Sequence, residues 1–345
     1  MRAVGKGPLR IVFLVLLLGV ALWLGPGLTG VRATDDMGGM DDCAGDMQWM
    51  LGWCLDTVAS NTPAEASALT AQGGSSPYVG GFEPIDVPGA AATRAFGINP
   101  QGDIAGSYTD ATGTHGYVLS NGDVATIDYP LAATTEAWGI NPRGDVIGRY
   151  TRAGVAGVRG FLLSHGSYTD ISIGNHLITL PTKIGASGEI VGCIHDASPL
   201  TDMYGFVRRG SSVTLFALPP KTVPVGSSAM HNGITPGGRT LVGLTFDGTL
   251  NRAHGYMIRD GREPILLDFP VSTSTQAWDL NPPGTIVGQY DAGGRTHGFY
   301  LDANGYATID VPGSRMTVAR GINPQGDIVG VYSDATGTHG FLLRR

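Results

Sequence analysis

The chain has 345 residues, of which 54 are glycine and 21 are proline, and 42% of its residues are apolar. Such frequent glycine and proline beside so many apolar residues favours short strands joined by tight turns. Three cysteines exclude a dense disulfide framework, and a formal net charge of −7 argues against a nucleic-acid partner.

Residues 1–33 have the pattern of an export signal. Three basic residues are followed by the apolar run 11–24 and by the small-x-small sequence Val31-Arg32-Ala33. An apolar run of 14 residues is typical of a signal peptide and short for a membrane span. We expect cleavage after Ala33, a mature charge of 18 − 29 = −11, and an extracellular or cell-surface location. An uncleaved anchor is the alternative.

Residues 34–81 form an Asp/Met-rich segment followed by a linker. Apolar residues and two cysteines recur at helical spacing over 43–58, which predicts one amphipathic helix that packs or lies on a membrane surface. A Cu(I) site formed by four methionines and two thiols is the alternative. Because methionine commonly fills apolar faces, we predict no metal and no cofactor. We expect membrane contact only through this segment or an uncleaved signal.

Residues 82–345 contain six copies of one sequence unit. The first copy, GINPQGDIAGSYTDATGTHGYVL from Gly97, is nearly identical to the last, GINPQGDIVGVYSDATGTHGFLL from Gly321. The copies align on the final glycine of their core, which falls at Gly106, Gly148, Gly192, Gly243, Gly288 and Gly330. The steps of 42, 44, 51, 45 and 42 residues between these glycines match the length of one β-propeller blade.

Turn signals divide each copy into four strands. Asn-Pro-x-Gly makes the first turn, an aspartate usually opens the second, and Asn-Gly is typical of the third. The last copy ends one strand short, whereas the strand Phe82–Val87 precedes the first copy without a hairpin partner. Because unpaired strand edges invite aggregation, we expect these two ends to pair. The sequence predicts an all-β fold, a six-bladed β-propeller of four-stranded antiparallel blades, closed by the N-terminal strand.

The repeated core followed by His-Gly-Phe resembles the extracellular HAF-repeat family, which is named for a His-Ala-Phe triplet at that position. The resemblance covers residues 82–345. This chain departs from the family by having glycine in place of the alanine, and by Arg159 and Tyr204 in place of the histidine in the second and third copies. The resemblance implies exported repeats of propeller type and no known activity.

Motifs of common catalytic centres are absent from the sequence, including Gly-x-Ser-x-Gly, His-Glu-x-x-His, Cys-x-x-Cys and the phosphate loop. We therefore predict no catalytic residues. Four histidines recur once per copy, at His115, His254, His297 and His339. Radial symmetry would hold them apart, so we expect each to form a hydrogen bond within its own blade rather than to bind a metal.

Differences between the copies point to the candidate site. They concentrate in the segment that enters each Gly-Ile-Asn strand, where the neighbours of a mostly constant alanine vary in size and charge. We predict a ligand-binding rim of aromatic and polar side chains formed by Arg94, Phe96, Glu136, Trp138, Gln276, Trp278 and Arg320. The alternative is that the aromatic side chains plug the gap between blades.

These features favour a secreted or surface-displayed binding module that is monomeric and has a glycan or a protein as its ligand. One alternative is a propeller-type polysaccharide hydrolase or lyase, for which Glu136 would be the carboxylate near the axis. A pocket containing at least two acidic side chains would favour that alternative. A structural envelope protein is the second alternative.

Overall fold

The computed structural model describes residues 81–196, 203–218, 228–247 and 252–345. The predictions for the export signal at 1–33 and for the Asp/Met-rich segment lie outside the described residues. The described residues are all-β, as the sequence predicts, because they form 24 strands and no helix. It follows that no helix within these ranges is long and apolar enough to cross a membrane.

The strands are short and follow one another through tight turns. In chain order they are β1 Phe82–Ile85, β2 Ala92–Ile98, β3 Ile104–Asp110, β4 Gly113–Ser120, β5 Asp123–Ile127, β6 Thr134–Ile140, β7 Val146–Arg152, β8 Val155–Ser164, β9 Ser167–Ile171, β10 Ile178–Ile184, β11 Ile190–His195, β12 Tyr204–Arg209, β13 Ser212–Phe216, β14 Met230–Ile234, β15 Thr240–Asp247, β16 Arg252–Arg259, β17 Ile265–Leu267, β18 Ser274–Leu280, β19 Ile286–Ala292, β20 Arg295–Asp302, β21 Gly305–Ile309, β22 Met316–Ile322, β23 Ile328–Ser333 and β24 Thr338–Leu343.

Each sequence copy folds as one antiparallel meander of four strands. Repeats 1 to 5 comprise β2–β5, β6–β9, β10–β13, β14–β17 and β18–β21, and repeat 6 comprises β22–β24 with β1. The hydrogen bonds do not divide these repeats into six separate sheets. Single parallel bridges such as Thr114 with Thr134 join repeats 6, 1, 2 and 3 into one 16-stranded sheet, and repeats 4 and 5 remain separate.

Repeat 6 is completed by the N-terminal strand. β1 pairs antiparallel with β24, from Phe82 opposite Leu343 to Ile85 opposite Gly340, as the sequence predicts. The two ends of the described chain are also joined by side chains. His339 Nδ1 lies 2.7 Å from Asp86 Oδ1, and Arg344 Nε donates to Glu83 Oε1 at 3.0 Å.

The first strands of the repeats contact one another in a cycle. β2 contacts β6, and the contacts continue through β10, β14, β18 and β22 back to β2. Each first strand also packs against the second or third strand of the preceding repeat. Apolar clusters fill the interfaces between successive repeats, and the largest cluster fills the centre of the cycle. This packing brings one strand of every repeat to a common axis.

The glycine that aligns the six copies sits on the second strand of each repeat, close to the first strand. A Cβ atom at any of the six positions would lie 2.0–2.1 Å from a carbonyl oxygen of the first strand and 2.6–2.9 Å from an aromatic ring of the third. Because Cβ atoms do not approach other atoms so closely, only glycine fits. We refer to these six residues as the glycine layer.

Steric crowding also explains the glycine that follows each repeated histidine. A Cβ atom at Gly116, Gly255, Gly298 or Gly340 would lie 2.7–3.2 Å from a carbonyl oxygen of the fourth strand. The alanine of a His-Ala-Phe triplet would therefore require the fourth strand to shift.

Candidate functional site

A β-bulge interrupts the first strand of every repeat at the same position. In repeat 1 the register shifts between Ala95 and Gly97, which leaves Phe96 without a partner residue on β3. The six bulged residues are Phe96, Trp138, Thr182, Asn232, Trp278 and Arg320. All six line one cavity together with Lys183 and Asp279. We call these six residues the bulge layer, because the bulge re-aims one side chain of each repeat toward the axis.

Aromatic rings and a guanidinium group fill most of the bulge layer. The Phe96 and Trp138 rings stack with centroids 4.6 Å apart, and Trp138 lies 6.3 Å from Trp278. The Arg320 guanidinium lies 3.8 Å from the centroid of the Trp278 ring and 5.6 Å from that of Trp138. At such distances a guanidinium is attracted to the negative face of an indole ring. Three repeats thus supply the rings, and a fourth supplies the cation.

The next residue along each first strand forms a second layer at the axis. In four repeats this residue is glycine, at Gly97, Gly139, Gly233 and Gly321. Backbones approach closely there, since a Cβ atom added at Gly321 would lie 2.7 Å from the Phe96 carbonyl oxygen. In repeats 3 and 5 this residue is Lys183 or Asp279. The Lys183 Nζ donates to Asp279 Oδ2, so one ion pair joins repeats 3 and 5.

The Asp279 carboxylate is held among donors and excluded from water. It accepts hydrogen bonds from the backbone N–H groups of Ile322 at 3.0 Å and Leu280 at 2.8 Å, in addition to the Lys183 ammonium. Burial raises the pKa of Asp279 above its ordinary value, and the Lys183 charge and these hydrogen bonds oppose the rise. Because Lys183 and two backbone N–H groups already donate to the Asp279 carboxylate, Lys183 and Asp279 form a structural ion pair.

Glu136 is also committed to partners within the fold. It pairs with Arg149 on the adjacent strand and accepts a hydrogen bond from Trp138 Nε1 at 3.2 Å. The Arg149 guanidinium lies 4.3 Å from the centroid of the Trp138 ring. Of the described residues that line the cavity, only Asp279 is acidic. The pair of converging carboxylates that would favour a hydrolase or lyase is therefore not assembled by these cavity residues.

The bulge layer is tightly packed. Phe96, Trp138 and Trp278 are 5%, 6% and 4% exposed, and the cavity between the side chains has a volume of about 10 Å³. Such a space holds roughly one water molecule. The aromatic side chains thus fill the centre of the cycle, as the alternative interpretation of the sequence holds. Among the bulged aromatic and charged residues, Arg320 keeps partial exposure.

The predicted site residues divide into two groups. Phe96, Trp138, Trp278 and Arg320 meet at the axis, and Glu136 reaches the same group through Trp138. Arg94 and Gln276 occupy the position equivalent to Glu136 in their strands and are buried, but neither lines the cavity. Whether any of these residues binds a ligand stays a prediction.

Four cavity residues, Thr182, Lys183, Asn232 and Asp279, are absent from the predicted set. A signal was present for two of them, because Lys183 and Asp279 replace the glycine found in the other four repeats. Thr182 and Asn232 lie at the bulge, which the alternating pattern of a strand does not reveal. Asn232 donates through Nδ2 to the Ala277 carbonyl at 2.9 Å, and its buried Oδ1 has no hydrogen-bond partner among the described residues.

The recurring histidines form hydrogen bonds within their own repeats, as predicted. Each Nδ1 contacts the aspartate that directly follows the fourth strand, at 2.9 Å for His115 and Asp128, 2.9 Å for His254 and Asp268, 2.8 Å for His297 and Asp310, and 2.7 Å for His339 and Asp86. Each pair ties the third strand to the fourth. Within the described ranges, no group of three or more histidine, cysteine or acidic residues is arranged to hold a metal ion.

Comparisons with known proteins leave the family of this chain open. No protein-family model matches it. No curated protein matches it in sequence.

Several solved structures resemble parts of the fold. A gluconolactonase from Xanthomonas campestris has a TM-score of 0.46 and 14% identity over 74% of this chain and 87% of its own. A fucose-specific lectin from Aleuria aurantia has a TM-score of 0.41 and 12% identity over 63% and 76%. TolB from Acinetobacter baumannii has a TM-score of 0.40 and 17% identity over 54% and 45%, so the chain spans less than half of that protein. At such low TM-scores we infer no function from these similarities.

Proposed function

We propose that this chain is an exported six-bladed β-propeller of the HAF-repeat type, and that it binds a glycan or a peptide at the axis without catalysing a reaction. The observation that carries the proposal is the contrast within the first strands. The six bulged residues differ in chemistry from repeat to repeat, although the surrounding core is nearly the same in each. Binding sites commonly concentrate where a repeated scaffold varies.

Arg320 is the residue through which a ligand would first contact the bulge layer. The residue is partly exposed, whereas its Nε and Nη1 atoms are buried, and its guanidinium lies against Trp278. A ligand carboxylate or hydroxyl would accept hydrogen bonds from the part of the Arg320 side chain that reaches the surface, above rings that are themselves buried. The Asn232 Oδ1 offers a buried acceptor in the same cavity.

Glycan and peptide arrays probed with the exported full chain test this proposal. We expect a defined set of ligands whose signal falls at least about tenfold with Arg320→Ala, equivalent to about 1.4 kcal/mol. Arg315→Ala is the matched control, because Arg315 is an exposed arginine on the segment that enters the same strand. Identical array patterns for the wild type and Arg320→Ala would overturn the axial site.

Catalysis is tested on the same polysaccharides by measuring the release of reducing or unsaturated ends. We expect no release above that of a heat-denatured sample. Release that Glu136→Gln abolishes, in a variant shown to be folded, would replace the binding proposal with the hydrolase or lyase alternative.

Closure of the six blades by β1 is tested by deletion. Removing residues 82–88 would leave the edge of β24 unpaired and break the His339–Asp86 contact. We expect this deletion to lower the melting temperature sharply or to prevent folding, whereas deletion of residues 68–74 from the predicted linker should not. Equal melting temperatures for the two deletions would argue against closure through β1.

Export is tested by sequencing the N-terminus of the secreted protein. We expect the mature chain to begin at Thr34. Secreted or surface-bound protein that retains residues 1–24 would establish an uncleaved anchor.

A further inference from the structure

A groove that shares no lining residue with the axial cavity lies between repeats 3 and 4. Its floor is apolar and is formed by Val207, Phe216, Leu241 and Ile258. The guanidinium groups of Arg209 and Arg239 lie at its rim, and its volume is about 160 Å³. We call it the Arg209 groove.

Two other interfaces show what fills the equivalent space. Between repeats 1 and 2, the Tyr168 ring packs on a cluster that includes Ile127 and Val146, the equivalents of Phe216 and Leu241. Between repeats 4 and 5, Tyr306 packs in the same way beside Phe269 and Phe299. The register of repeat 4 ends with Met257 opposite Ile265, and extending it by one residue places Pro264 opposite Ile258, at the position of Tyr168 and Tyr306. The groove is therefore a site shaped for an aromatic ring that this repeat does not supply.

The charge around the groove is opposite in sign to that of the whole chain. The segments 207–216, 234–241 and 257–265 carry five arginines and two acids, a net charge of +3, whereas the full chain carries −7. Arg239 lies 3.4 Å from Asp260 in an exposed ion pair. The Arg209 guanidinium makes no hydrogen bond or ion pair within the part of the chain that the structure describes, and it lies over Gly238. An exposed, unpaired guanidinium is available to a carboxylate.

We propose that the Arg209 groove binds a peptide segment of a partner protein that carries a tyrosine or phenylalanine next to aspartate or glutamate. The ring would occupy the place that Tyr168 and Tyr306 fill elsewhere, and the carboxylates would pair with Arg209 and Arg239. Among the described strands β13 is the edge strand next to the groove, so an extended peptide has backbone partners there. Val213 and Leu215 are exposed on the opposite face of β13, where alternate side chains of such a peptide would contact them. The groove accepts one side chain, which favours a peptide over a membrane surface.

A display library of random 12-residue peptides, selected on the full chain, tests the proposal. The blocking variant is Pro264→Tyr, which supplies the ring that repeats 2 and 5 already contain and should leave the fold intact. We expect selected peptides to combine an aromatic residue with acids, and to bind Pro264→Tyr and Arg209→Glu at least about tenfold more weakly than the wild type. Arg315→Glu is the control for net charge and should bind as the wild type does.

Several outcomes would overturn the proposal. One is that the selected peptides bind Pro264→Tyr as tightly as the wild type. Another is that Arg209→Glu and Arg315→Glu lower the peptide affinity equally. A third is that the library yields no peptide whose binding depends on the open groove. Anionic lipid vesicles that bind the wild type but not Pro264→Tyr, with no peptide selected, would also exclude a peptide as the occupant. Should Pro264→Tyr fail to fold, Thr214→Trp fills the same groove from β13. Selected peptides whose binding falls with Arg320→Ala but not with Pro264→Tyr would occupy the axial site, and that result would overturn the groove as their docking site.

Discussion

The glycine layer and the bulge layer lie on neighbouring strands of every repeat, yet they behave in opposite ways. The glycine layer contains the same residue in all six repeats, whereas the bulge layer contains phenylalanine, tryptophan, threonine, asparagine and arginine. The cause is local geometry. A Cβ atom in the glycine layer would strike a carbonyl oxygen, whereas a bulged residue points into the shared space at the axis. Identity between repeats therefore marks positions where backbones touch, and variation marks positions that face the axis.

The largest expected effect comes from breaking the glycine layer. In Gly330→Val, the new Cβ would lie 2.0 Å from the Val318 carbonyl oxygen and 2.6 Å from the Phe341 ring, so β22 and β23 could not pair as they do. We expect a loss of more than about 4 kcal/mol in the free energy of unfolding, or failure to fold. Urea denaturation measures the loss. Gly81→Val is the control, because no atom lies within 4 Å of its Cβ position, and equal losses would contradict the steric explanation.

Lys183 and Asp279 of the second axial layer stand where the other four repeats have glycine. Replacing each of them with glycine tests whether a position at the axis tolerates a change of residue better than the glycine layer does. Lys183→Gly leaves the buried Asp279 carboxylate without its cation, and Asp279→Gly leaves the Lys183 ammonium unpaired. Breaking a buried pair from one side costs about 3–5 kcal/mol. We expect the Lys183→Gly change to cost more, because the Asp279 side chain is 2% exposed and that of Lys183 is 14% exposed.

The double variant is the informative one. With both charges removed, all six repeats have glycine in this layer and no ion is left unpaired. We expect the double variant to lose less stability than the sum of the two single changes, with a coupling energy of at least about 1 kcal/mol. A double-mutant cycle in urea measures it. Additive losses would mean that the two charges do not interact across the axis.

The sequence predicts more of the glycine layer than of the bulge layer, for physical reasons. The recurrence of one glycine at steps of 42 to 51 residues is visible in the sequence. The missing strand of the sixth copy is visible too, and it predicts that Phe82–Val87 pairs with the chain end, as Phe82–Ile85 does. A bulge adds one unpaired residue without a residue type of its own. Alternation along the strand groups Arg94 with Phe96, yet only Phe96 lines the axial cavity. Burial of the tryptophans depends on the radius at which six strands meet, and no single repeat encodes that radius.

The Arg209 groove illustrates a second limit of sequence interpretation. It exists because Pro264 stands where Tyr168 and Tyr306 stand in other repeats. That difference becomes visible only when the fourth strands are aligned by their pairing with the third strands, since the loop before β17 obscures the equivalence.

A smaller effect concerns the pH dependence of the axial ion pair. Because burial raises the pKa of Asp279 above 3.8, the folded state binds this proton more tightly than the unfolded state does. The contribution of Asp279 to stability is therefore greatest below pH 3.8 and decreases as the pH rises through the folded-state pKa. The difference in the free energy of unfolding between the wild type and the double glycine variant should therefore fall as the pH rises from 3.8 through the folded-state pKa of Asp279. Urea denaturation at several pH values measures the difference, and a rise with pH would show that the Lys183 charge outweighs burial.

The smallest effect is expected at the turns between repeats, where glycine is favoured by backbone conformation. Four of these turns have the sequence x-Pro-x-x, and their third residue has a positive φ in each case: Gly89 at 84°, Leu131 at 63°, Val271 at 61° and Gly313 at 82°. A hydrogen bond such as Ala132 N to Tyr129 O at 3.0 Å closes each turn. This is the geometry in which a type II turn favours glycine at its third position.

Leu131 and Val271 adopt this strained conformation although their side chains are 90% and 75% exposed. A left-handed backbone costs a non-glycine residue about 1–2 kcal/mol, which a change to glycine would relieve. Part of this gain, about 0.5–1 kcal/mol, is lost again because glycine has more conformational entropy in the unfolded chain. We therefore expect Val271→Gly to stabilise the fold by about 0.5–1 kcal/mol and Leu131→Gly by less, because valine is branched at Cβ. Thermal and urea denaturation measure the gain, with Val213→Gly on an exposed strand as the destabilising control. A loss of stability in Val271→Gly would mean that the exposed side chain makes a favourable contact that outweighs the strain, and the turns would then resemble the bulge layer, where the side chain rather than the backbone decides the residue.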